Sequence, residues 1–153
     1  MTVPRFVVGV DGSDGSSAAV RWCARYAPSL DAEVTAVAVT EARVPLVPPP
    51  AGYADALEGA VDKERDEAGT ALEADWCRPL RDAGARYETR SVFGDPAGLL
   101  METAVEVGAD LLVVGRRGRG RFVEAVVGSV PRTLAHATEV PLVIVPSSYH
   151  AGA

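Results

Sequence analysis

The sequence predicts an α/β fold in which a single doubly wound sheet of five parallel strands carries helices on both faces. Three observations predict it. Short apolar runs bounded by turn residues recur along the 153 residues, each of a length suited to a buried parallel strand. Segments of helical period separate them, giving the order β-α-β-α-β-α-β-α-β, which calls for crossover connections and a sheet covered on both sides. No break in composition and no internal repeat divides the chain. One domain over 1–153 is expected, with its core at about 5–146 and a loose tail over 147–153.

Phe6-Val7-Val8-Gly9-Val10 is the first run, and it stops at Asp11-Gly12-Ser13. Ser13 or Asp14 caps the helix that follows, where Ala18, Ala19, Trp22, Cys23 and Tyr26 recur at helical spacing until Pro28. The second strand runs from Glu33 to Val39. Residues 41–52 hold Pro45 and the Pro48-Pro49-Pro50 triplet, which exclude helix and central strand alike. Such a loop inside a compact domain is often functional or mobile. From Tyr53 to about Arg81 the pattern is helical with a charged outer face, and Pro79 is the expected point of a kink or early end. Cys23 and Cys77 both fall inside expected helices. Tyr87 to Phe93 alternates as the third strand.

Asp95 is placed to cap the next helix, with Pro96 at its first position and Gly108 closing it. Leu99, Leu100, Thr103, Ala104 and Val107 give that helix its inner face. Leu111 to Val114 is wholly apolar and is therefore expected in the middle of the sheet. A helix from about Ser129 to Thr138 then leads into Pro141–Val145, the fifth strand.

The formal net charge is −6, which argues against a general nucleic-acid coat and does not favour an anionic membrane surface. No apolar stretch approaches the roughly 18 residues that a spanning helix needs. The N-terminal run passes straight into a glycine turn without the features of a secretory leader. The two cysteines have no metal-ligand spacing around them and fit a reducing compartment, so the expected location is cytoplasmic, with no metal site in the protein itself.

In a sheet of this kind ligands sit at the carboxyl ends of the strands, where the strand order reverses. That rule selects the loops after Val10, Val39 and Val114. The last is the informative one: Gly115-Arg116-Arg117-Gly118-Arg119-Gly120-Arg121, running on to Gly128-Ser129. Glycine lets a backbone approach a ligand closely, and Ser129 opens a helix whose first amides are unpaired and partially positive. A phosphate chain is the natural occupant. Neither GxxxxGK[ST] nor a GxGxxG after the first strand is present.

The spacing Gly115-x2-Gly118-x9-Gly128-Ser129 resembles the G-x2-G-x9-G-[ST] signature of the ATP-binding branch of the universal stress protein family. Val10-Asp11-Gly12-Ser13 is similar to that family's opening segment, Ala109 to Gly115 to its fourth strand, and Val140 to Val145 to its closing strand. The resemblance implies a Rossmann-like sheet of the adenine nucleotide alpha hydrolase type and ATP, with Mg2+, at these loops. It also implies a homodimer formed through the last strand. By position, Asp11 would meet the adenine or its neighbourhood and the backbone of Val39 would bracket the base, with Val10 also among the nucleotide-binding residues. Gly115 and Gly118 would approach the ribose and α-phosphate, while Gly128, Ser129 and Val130 would donate to the phosphates. Pro131 departs from the Ser or Thr often found there and offers neither hydroxyl nor amide; Arg116 and Arg119, with Arg117 and Arg121, crowd the same loop and suit phosphate.

Asp11 has two further readings, as a helix-entry cap or as a Mg2+ ligand. The arginine loop also reads as a solvated surface segment, and its RGRGR stretch as a short island in an acidic chain, not a nucleic-acid tract. Hydrolysis needs a base as well as a charge stabiliser, and only the second is visible, so no catalytic residue is assigned. The expected activity is that of a nucleotide-dependent sensor or regulator. Slow ATP hydrolysis, or binding of AMP or a cyclic nucleotide, is the alternative.

Overall fold

The structure is a computed structural model that describes residues 2–41, 47–117 and 127–152. Five parallel strands form one sheet in the order β3-β2-β1-β4-β5: β1 Arg5–Gly9, β2 Glu33–Glu41, β3 Arg86–Gly94, β4 Leu111–Gly115 and β5 Leu142–Val145. The chain passes from β1 to β2 on one side, and after β3 it crosses to β4 on the other. The order therefore reverses between β1 and β4, the position at which parallel sheets open a crevice. The doubly wound arrangement expected from the alternation is the one observed.

Helix α1 (Asp14–Tyr26) and the segment around α3 (Arg78–Asp82) cover one face. There Ala18, Ala19 and Cys23 meet Phe6, Val8, Val34 and Ala36, and Leu72, Cys77 and Leu80 complete the layer. Helices α4 (Pro96–Val107) and α5 (Ser129–Ala137) cover the other. Ala97, Leu100, Ala104 and Leu134 pack there on Val7, Val37, Leu112 and Val114. The small residues of α1 let it lie close on the sheet, and that closeness positions the site.

Local chemistry fixes the helix ends. Ser13 accepts from the Ser16 amide at 3.2 Å and is the cap of α1, while Asp95 accepts from the Gly98 amide at 2.7 Å at the start of α4. Gly108 closes α4 with φ of 64°, a left-handed turn that glycine adopts without strain.

Three differences from the sequence reading go beyond a single residue at the end of an element. β2 runs two residues further, to Glu41, because its end pairs with the long β3 at Thr40–Phe93 and Glu41–Gly94. The helix expected over 53–81 is broken: α2 (Tyr53–Ala71) widens into a π turn over Leu72–Trp76 and restarts as α3. The Cys77 amide reaches back to the Leu72 carbonyl at 3.0 Å, and Cys77 sits at the junction, not inside a helix. The break lies upstream of Pro79, which thereby falls in the first turn of α3, where its missing N–H costs nothing. Finally, the tail is anchored as far as Tyr149, which packs against the core beneath α1 and accepts from Arg21 Nη2 at 3.1 Å.

Candidate nucleotide site at the strand-order switch

The loop after β1 is shaped by its own polar side chains. Val10 is buried and continues the ladder, its amide donating to the Val37 carbonyl at 2.8 Å. The Asp11 carboxylate accepts from the Ser13 amide at 2.9 Å, and the Asp11 amide donates to Ser16 Oγ at 3.2 Å. Gly12 completes the turn with φ of 78°. Because Ser13 is the cap, Asp11 is not. It holds the turn that delivers the chain to α1 at the switch point, half-buried at the carboxyl end of the sheet. Val39 lies at the same end of β2, paired with Val92 and packed on the α4–α5 side of the sheet.

After β4, Gly115 pairs with Val145, and Arg116, the first of the two arginines that follow, is tied in place through its main chain. The Arg116 amide donates to the Val145 carbonyl at 2.8 Å, and the Arg116 carbonyl accepts from the Gly128 amide at 2.8 Å. One residue thus binds the end of β5 to the entry of α5. Gly128 is the N-cap of α5 and no side chain caps that end. Ser129 is exposed in the first turn, Val130 is half-buried and Pro131 is buried. Among the described residues, Arg116 Nε and Arg117 Nε are buried without a hydrogen-bond partner. A buried donor left without a partner costs about 1–3 kcal/mol, more when charged, so these two mark a place where an acceptor is owed.

The sequence assigned the glycines of this loop to close approach by a ligand. For Gly115 the structure supplies another reason. A Cβ there would stand 2.8 Å from Gly15 Cα and nearer still to the Gly15 carbonyl group, so β4 touches the backbone of α1 directly. Gly15 in turn faces the Arg117 main chain, where an added Cβ would lie 3.1 Å from the carbonyl carbon and closer to its oxygen. Gly15 and Gly115 are a packing pair, and Gly15 escaped the sequence reading because its partner lies across the fold. Gly128 differs: a Cβ there would meet Arg116 O at 3.4 Å, an ordinary contact.

Val10, Asp11, Gly115, Arg116, Gly128, Ser129 and Val130 therefore gather at one end of the sheet around the β1–β4 reversal, with Val39 on the adjacent strand. Gly118 and Arg119 lie outside the described residues, as do Gly120 and Arg121. Among the described residues no group of three or more His, Cys, Asp or Glu is arranged to hold a metal ion. No described helix is long and apolar enough to cross a membrane. His136, on the last turn of α5, is exposed.

A sequence profile of the universal stress protein family matches residues 2–146. The chain belongs to that family. A universal stress protein of Mycobacterium tuberculosis is 35% identical over 148 residues, which cover 91% of this chain and 93% of the relative. Among solved structures, a universal stress protein in complex with cAMP is 30% identical with a TM-score of 0.63, covering 97% of this chain and 100% of that one. The universal stress protein UspA of Lactobacillus plantarum has a TM-score of 0.79 at 20% identity, covering 95% of this chain and 99% of its own, and shares the fold. The five-stranded parallel architecture is thus that of the universal stress proteins.

Proposed function

We propose that this universal stress protein binds ATP, with Mg2+, at the strand-order switch and acts as a nucleotide-dependent regulator, not as a dedicated enzyme. The observation that carries the reading is the uncapped entry of α5 beside two arginines whose buried Nε atoms have no partner. Ser129 and Val130 amides, the Ser129 hydroxyl and the two guanidinium groups suit a phosphate's acceptor oxygens and negative charge. Asp11 and the Val39 backbone stand at the adjacent strand ends, where the base would lie. Of the residues assigned to the site only Asp11 is a carboxylate, and it already holds the Ser13 amide, which supports binding without fast hydrolysis.

A second reading, a single-phosphate ligand such as AMP or a cyclic nucleotide, is favoured by Pro131 and by the relative crystallised with cAMP. Pro131 removes one amide from the first turn of α5 and fills the space with a buried ring. Titration calorimetry with ATP, AMP and cAMP, with and without magnesium, separates the two. Tightest binding of Mg-ATP supports the first, tightest binding of AMP or cAMP the second, and no heat with any of them refutes both. A turnover assay with Mg-ATP tests the regulatory assignment: many turnovers per minute would make the protein an enzyme. A homodimer through β5 belongs to the same proposal, since β5 pairs on one side only among the described strands. A cytoplasmic location is supported by two free buried cysteines.

A further inference from the structure

A closed path of contacts runs around the candidate site, and the C-terminal segment completes it. Starting at α1, the Gly15 backbone abuts the Arg117 main chain. From there Arg116 reaches β5 through its amide and the Val145 carbonyl, 2.8 Å apart. Past β5 the chain turns at Pro146, whose carbonyl accepts from the Tyr149 amide at 2.9 Å. The Tyr149 carbonyl then accepts from Arg21 Nη2 at 3.1 Å, and Arg21 lies on α1, where the path began. Tyr149 packs on the same core layer as Val143 and Val145. Arg21 Nε is buried without a hydrogen-bond partner, and the Tyr149 phenol is buried beside Tyr26.

We propose that Tyr149 and Arg21 form a clasp that positions the Arg116–Arg117 segment for phosphate, making them positioning residues of the nucleotide site. The inference rests on the nucleotide reading above only for its ligand; the mechanical part stands on the contacts themselves. With the clasp shut, the end of β5 is fixed against α1. Val145 then holds the Arg116 amide, and Arg116 holds the entry of α5 through Gly128. The Arg21 Nε, buried without a partner, leaves the clasp incompletely satisfied, so it is the weak link of the ring. Opening it would loosen the phosphate-facing segment without unfolding the sheet.

Amide exchange on ligand-free full-length protein tests the clasp, with Tyr149→Ala and Arg21→Gln as the disrupting variants and Tyr149→Phe as the conservative one. In the disrupting variants the Arg116 and Gly128 amides should exchange about tenfold faster or more, while those of β1 and β2 keep their wild-type rates. Tyr149→Phe removes only the phenol hydroxyl, which takes no part in the Arg21 bond to the Tyr149 carbonyl, and should leave both amides as protected as before. In calorimetry with the tightest-binding nucleotide, the disrupting variants should lose about threefold to tenfold in affinity. Unchanged exchange at Arg116 and Gly128, or equal acceleration throughout the sheet, would overturn the clasp. Absence of nucleotide binding by the wild type would sink the functional reading instead, and the exchange comparison would still decide the clasp.

Discussion

Replacing Gly115 by alanine isolates the contact on which the fold and the candidate site both depend. The new Cβ would lie 2.8 Å from Gly15 Cα, whereas ordinary contact begins near 3.4 Å, so α1 and β4 must part by about 0.6 Å and by more at the Gly15 carbonyl. Both partners are backbone within packed elements, and no side chain can swing aside. Overpacking of this kind costs about 1–3 kcal/mol, and a backbone clash belongs at the upper end. For a chain of this size about 3 kcal/mol lowers the melting temperature by about 6–12 °C. Gly128→Ala is the internal control: its Cβ would meet Arg116 O at 3.4 Å and Arg117 Cα at 3.6 Å, and its φ of −59° suits any residue. That variant should lose no more than about 1 kcal/mol, the scale of a changed cap. Thermal denaturation followed by circular dichroism reads both. A Gly115→Ala protein melting within about 2 °C of wild type, or a Gly128→Ala protein falling as far as it, would refute the packing-pair argument.

Asp95→Ala removes the acceptor of the Gly98 amide at the start of α4 and should cost about 1 kcal/mol in urea unfolding, with Asp95→Asn recovering most of it. Burial raises both thiols, Cys77 to about 11, so neither should react with a chromogenic disulfide reagent at neutral pH until the protein unfolds. The sign of the linked stability follows. Native protein keeps these protons where the unfolded chain releases them, so stability present below the ordinary value of 9.0 declines through the window from there to about 11, measurable as a falling urea midpoint. Pro131→Ser restores an amide and a hydroxyl to the first turn of α5 and should raise the ratio of ATP to AMP affinity by roughly tenfold in calorimetry.

Most of the fold was legible because its signals are local. The apolar runs of β1, β2 and β4, and the caps at Ser13, Asp95 and Gly108, each declare themselves within a few residues. What stayed hidden depends on partners far along the chain. The Arg21–Tyr149 bond spans 128 positions, and composition alone makes the segment after β5 read as loose. The break between α2 and α3 was masked differently. Residues 72–76 keep a helical composition, and Pro79 drew attention two positions beyond the Cys77 junction where the widened turn had already ended the helix. At the site the loops are legible in the sequence, but Gly115, Gly118 and Gly128 all read alike as ligand contacts, since nothing local distinguishes a glycine that faces a phosphate from one that faces another backbone.

That distinction changes how loss of binding should be interpreted. Gly115 and Gly15 bring α1 against the first residues of the phosphate-facing segment, so an alteration at either one moves Arg117 and weakens the core together. Lost nucleotide affinity in those variants would say little about direct contact. Ser129 is exposed and Arg116 and Arg117 are half-buried, and their guanidinium groups extend from a main chain already fixed by Val145, Gly128 and Gly15. Truncating Ser129 or Arg117 removes donors without disturbing that frame. An affinity loss at unchanged melting temperature for these residues, against a coupled loss at Gly115, is the pattern required if the fold presents the phosphate donors and the glycines hold the frame.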